Sequence, residues 1–140
     1  MKKMRQERGQ AIIEFALTAL IFLTLLVFIM DGSRIFWNYL TVTEAARVGA
    51  RYAIVHGAQC LPPTAAVGPG NYSALTAHVT SRAVGLTPAN LTVTPTWPTG
   101  NRAPSSVIVS ITYRVQPITR LFWSGQTFNL TAQSTMVIQN

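Results

Sequence analysis

The first thirty residues divide sharply by polarity. Lys2, Lys3, Arg5 and Arg8 crowd ahead of an apolar run from Ala11 to Met30 that only Glu14 interrupts, and from Phe15 to Met30 no residue is charged. A helix needs about 20 predominantly apolar residues to cross a bilayer, so this run is long enough. Cations ahead of such a span hold its start in the cytoplasm and place everything after Met30 outside. Trp37 and Tyr39 follow at a distance suited to the outer interface, where amphipathic rings collect. A cleavable secretory signal has an apolar core of about 7 to 15 residues and a small-x-small cut site. The present run is longer, and Met30-Asp31-Gly32-Ser33-Arg34 offers no such site.

Beyond Met30 the helical pattern continues. No proline occurs between Asp31 and Val55, and Phe36, Tyr39 or Leu40, Thr43, Ala46, Ala50 and Ala53 recur at helical spacing. One helix over 10–55 is predicted, about 65 to 70 Å long at 1.5 Å per residue. Ala45, Gly49 and Ala53 lie four residues apart, a small-x-x-x-small stripe that admits another backbone closely. The stripe suits a neighbouring helix and the chain's own sheet equally well. Glycines and prolines in 57–70 then predict a loop. A short helix capped by Asn71 follows, with Tyr72, Leu75, Val79 and Ala83 on one face and Gly85 and Pro88 at its end.

The remainder reads as strands. Leu91 to Trp97 is threonine-rich and closes in the turn Pro98-Thr99-Gly100-Asn101. Val107, Val109, Ile111, Tyr113 and Val115 alternate with polar or half-polar neighbours, as do Phe128, Leu130, Ala132, Met136 and Ile138. Three strands with one apolar face need a cover, which the helices supply. The expected fold class is α+β: a long N-terminal transmembrane helix plus a second short helix, packed on a small, mainly antiparallel three-stranded sheet. The divisions are a basic leader over 1–9, the long helix over 10–55 and an exported α+β domain over 56–140.

Composition sharpens this picture. Apolar residues make up 49% and charged residues 11%, against roughly 25% charged in soluble chains. The net charge is +7, and after Glu44 there is no acidic residue to oppose Arg47, Arg51, Arg82, Arg102, Arg114 and Arg120. Such a domain attracts anionic surfaces such as lipid head groups, polysaccharide or nucleic acid in a salt-dependent way. The same inventory argues against catalysis. Without carboxylates, and with His56 and His78 as the two imidazoles, the exported part cannot build a carboxylate pair, a Ser-His-Asp triad or a carboxylate-rich metal site. No catalytic residue, cofactor or metal is expected. Cys60 is the single cysteine, so no disulfide forms within the chain. Trp97, Phe122 and Trp123 suit either core filling or a contact patch.

The chemistry that does stand out straddles the start of the apolar run, in Arg8-Gly9-Gln10-Ala11-Ile12-Ile13-Glu14-Phe15. A carboxylate one turn inside a lipid-embedded helix costs several kcal/mol unless it is paired or neutralised. A cut between Gly9 and Gln10 would create a partner: the new ammonium of Gln10 in one helix could meet Glu14 of a neighbour stacked with an axial offset. The helix N-terminus also favours that negative charge.

A basic leader ending in Gly, followed by four residues, Glu and Phe, resembles the processing site of type IV pilin-like proteins. Glu14-Phe15-Ala16-Leu17, Gly32-Ser33-Arg34 and Glu44-Ala45-Ala46-Arg47-Val48-Gly49-Ala50-Arg51-Tyr52-Ala53 look like the TadE family of minor pilins or pseudopilins. The resemblance covers roughly residues 8 to 55. Many relatives carry a proline near Leu20 and this chain does not, so its membrane helix is expected to be straighter. The resemblance implies a pilin-like fold and a role in a tight-adherence, Flp-type pilus of the bacterial cytoplasmic membrane. The partners it implies are prepilin peptidase, other pilin subunits and pilus assembly proteins. The competing readings are an uncleaved single-pass envelope protein whose basic domain binds a surface polymer, and a pilin that uses its arginines on nucleic acid.

Overall fold

The computed structural model describes residues 2–61, 66–117 and 125–139, with side chains described from residue 9 onward. A single helix, α1, runs from Lys2 to Val55, about 80 Å at 1.5 Å per residue. It begins eight residues before the expected start at Gln10 and continues unbroken past Leu20, where no proline stands to kink it. A second helix, α2, spans Ser73–Arg82, and a single 3-10 turn at Pro88–Asn90 leads into the sheet. The strands are β1 (Leu91–Thr96), β2 (Ser106–Val115) and β3 (Phe128–Val137). They form an antiparallel meander in the order β1-β2-β3, with Leu91 opposite Tyr113 and Phe128 opposite Val115. The expected α+β class, long apolar helix, short helix and three-stranded sheet are all present.

Local chemistry explains the strand details. β1 contains Pro95, which has no N–H to donate, and it lies at the edge of the sheet, where such a residue is tolerated. In the turn before β2, Gly100 has φ +107°, a conformation that a side chain would strain. β2 buries Val107, Val109, Ile111, Tyr113 and Val115 on one face, and that face meets α1 and α2. Leu75 and Val79 of α2 and Val42 of α1 are fully buried in the same core. Each such side chain contributes about 1.5–3 kcal/mol by leaving water.

Two expectations are corrected. The residue capping α2 is Tyr72, not Asn71, and no side chain bonds the free amides there. The inner stripe of α1 holds Ala46, Ala50 and Ala53 as expected, but its start differs: Phe36 is 64% exposed, and Tyr39 and Leu40 each 47%. The buried or half-buried stripe of α1 runs through Asp31, Ile35, Asn38, Val42, Ala45, Gly49 and Ala53, with Ala46 and Ala50 beside it. Bulky apolar residues look like core on hydropathy alone. A helix lying this close to a sheet instead selects small side chains, and the phase set by Ala45, Gly49 and Ala53 carries Asp31 and Asn38 inward with it.

Candidate functional site

The candidate site is the surface of α1, which changes character along its length. From Gly9 to Met30 almost every side chain is exposed, including Ile12, Ile13, Phe15, Leu17, Leu20, Ile21, Phe22 and Leu23. This part of the helix is long and apolar enough to cross a membrane, and its most apolar stretch is not buried by any of the described residues. In water such a surface would be an unusually large apolar patch, which marks a contact with lipid or with other chains.

Gly9 and Gln10 lie exposed on this helix, and Glu14 one turn further on. Nothing approaches the place a side chain would occupy at Gly9. The carboxylate of Glu14 receives no hydrogen bond and no ion pair among the described residues; its backbone oxygen accepts the Thr18 hydroxyl at 2.9 Å. Among the described residues an ion pair on α1, Arg47 to Glu44 at 3.6 Å, is more than 60% exposed on both sides and adds little to stability.

Ala45, Gly49 and Ala53 are buried within the chain's own core. A Cβ on Gly49 would stand 2.9 Å from Val79 Cγ2 and 3.1 Å from Val109 Cγ1, so α2 and β2 both press on the helix backbone here. At the far end of α1, Tyr52 is sandwiched between His56 (ring centroids 3.9 Å apart) and His78 of α2 (4.6 Å). Both histidines therefore act in packing. No group of three or more metal-ligating side chains exists among the described residues.

Cys60 is half-buried in the loop after α1. The same loop is stitched to the sheet by Asn101 Nδ2, which donates to Val67 O at 2.7 Å, and by Ala58 N, which donates to Asn101 O at 3.0 Å. Trp97 packs against the core with its indole nitrogen buried and without a hydrogen-bond partner among the described residues. Phe122 and Trp123 lie outside the described residues.

Sequence reasoning passed over Asp31 and Asn38, which are 6% and 5% exposed. The available signal was their spacing: with Ala45 they fall seven residues apart, in phase with the small-residue stripe. Asp31 is engaged in an interaction of its own.

These features define a class: a protein with one long helix, apolar and uncovered in its first half, that carries a small α+β unit on its second half. Residues 9–51, which are 43 of the 140, match the family model described as TadE-like protein. That family is a structural one associated with the Tad pilus, and the matched segment is the part of α1 from Gly9 to Arg51. No curated protein and no solved structure matches the chain.

Proposed function

We propose that the protein is a TadE-like minor pilin or pseudopilin, anchored in the cytoplasmic membrane by the first half of α1 and serving the structure or assembly of a tight-adherence pilus. The observation that carries this reading is the carboxylate of Glu14, without hydrogen bond or ion pair among the described residues, on an apolar helix that none of the described residues covers. A lipid-embedded charge needs a partner. Removal of residues 1–9 by a prepilin peptidase would expose the ammonium of Gln10 for the Glu14 of an adjacent subunit. The family match begins at Gly9, the residue at which the proposed leader ends. The four cations of that leader keep the N-terminus inside and the α+β unit outside.

The mass of the mature N-terminus tests the reading. Cells with an active prepilin peptidase should yield a chain beginning at Gln10, and Gly9→Leu should remain full length. An intact Met1 in the parent chain would favour an uncleaved envelope protein whose basic domain binds a surface polymer. Retention of DNA that falls steeply with salt would instead point to the arginines as a nucleic-acid surface.

A further inference from the structure

α1 and β2 pack against each other beyond the apolar run of the helix. Gly49 of α1 faces Val109, whereas Asn38, eleven residues closer to that run, borders Tyr113 and Val115, so β2 descends toward the apolar end of the helix. Between them lies a partly open hollow of about 340 Å³, bordered by Arg34, Asn38, Asn90, Tyr113 and Arg114 among others. Among the described residues none that lines it is acidic, and neither arginine forms an ion pair. Asn38 is 5% exposed, yet its side chain makes no hydrogen bond among the described residues. Its amide is not one of the buried unpartnered groups, so it opens into the hollow, where it can bond to whatever enters.

The height of the hollow indicates what it can hold. Arg34 stands four residues past Met30, about 6 Å along the helix axis. The polar layer on each side of the hydrocarbon core is about 5 to 8 Å deep. Arg34, and with it the hollow it shares with Arg114, therefore falls at the level of lipid phosphates. We propose that this hollow binds the phosphate-bearing head group of a phospholipid in the outer leaflet of the anchoring membrane, with Arg34 and Arg114 on the phosphate and Asn38 and Asn90 on its oxygens or on the glycerol. The proposal rests on the first half of α1 spanning that membrane. Asp31, one turn before Arg34, is buried, does not line the hollow and has an interaction of its own.

The test uses the full-length chain in a nonionic detergent, titrated with phosphatidylglycerol, with diacylglycerol or with inorganic phosphate, and native mass spectrometry counts the adducts. One saturable phosphatidylglycerol is expected per chain, held about tenfold more weakly by Arg34→Gln and by Arg114→Gln, the loss expected from one charge-assisted hydrogen bond. Asn90→Asp, which puts a carboxylate into the wall, should weaken it as well. Arg51→Gln makes the same change of charge seventeen residues further along α1 and should leave binding unchanged. Equal affinity in the parent, Arg34→Gln and Arg114→Gln would overturn the site, as would equal weakening in Arg51→Gln. Diacylglycerol binding as tightly as phosphatidylglycerol would overturn the role of the phosphate. Inorganic phosphate saturating the same residues at the same concentration would overturn the lipid as its source. Failure of the anchor is read separately, as release of the parent chain from membranes by alkaline carbonate.

Discussion

Gly49→Ala sets two known effects against each other in one position. Alanine favours a helix over glycine by about 0.8–1 kcal/mol. The added methyl, however, would sit 2.9 Å from Val79 Cγ2 and 3.1 Å from Val109 Cγ1, whereas carbon atoms rest at about 3.5–4.0 Å. Val79 and Val109 are both fully buried, and a valine has little rotamer freedom with which to retreat. Relief must come from the helix or the sheet moving by about half an ångström, and overpacking of this kind costs roughly 1–3 kcal/mol. The clash should win, leaving a net loss of about 1 kcal/mol. Thermal melting of the full chain in detergent, followed by near-ultraviolet circular dichroism of the buried aromatics, reads this as a fall of roughly 4–8 °C. Gly49→Leu adds three more carbons to the same space and should lose well over 3 kcal/mol. Val79→Ala removes the nearest obstruction at a cost of about 2 kcal/mol for two methyls and their cavity. The double variant Gly49→Ala, Val79→Ala should then be more stable than the sum of the two singles implies, by about 1 kcal/mol. A Gly49→Ala chain that melts higher than the parent, with additive behaviour in the double, would refute the tight contact.

Three further outcomes follow from the helix and its surface. Glu14→Ala should enter the membrane at least as well as the parent, because it removes a costly group from lipid, and should fail to co-purify with pilus components; normal co-purification would remove the pairing with Gln10. Cys60, half-buried in the loop beyond α1, should react slowly with a membrane-impermeant thiol reagent on intact cells, and a C-terminal reporter that works only in the cytoplasm should stay silent. Trp97→Phe discards a buried indole N–H that has no partner among the described residues, so it should destabilise the fold by less than the roughly 3–5 kcal/mol typical of truncating a buried aromatic to alanine; a loss as large as that of Trp97→Ala in the same melt would contradict the orphaned donor.

The strands were legible before any coordinates because their side chains alternate with period two, and Val107 to Val115 could bury one face in only one register. The apolar run 11–30 was legible because length and polarity alone decide whether a helix suits a bilayer. Gly9, Gln10 and Glu14 stood out for the same local reason, a carboxylate and a small residue set against lipid. What the sequence left open was the rotation of α1 about its axis beyond Met30. Phe36, Tyr39 and Leu40 look like core residues, yet they face outward, and Asp31 and Asn38 turn inward. Hydropathy ranks residues one at a time, whereas the approach of a helix to a sheet is set by the smallest side chains along it, here Ala45, Gly49 and Ala53. Whether that stripe met another subunit or the chain itself depended on where Val79 and Val109 came to rest, sixty residues apart for Gly49 and Val109. Contacts between residues so distant in sequence arise only when the chain closes on itself, and the pairing of Arg34 with Arg114 around one hollow is of the same kind.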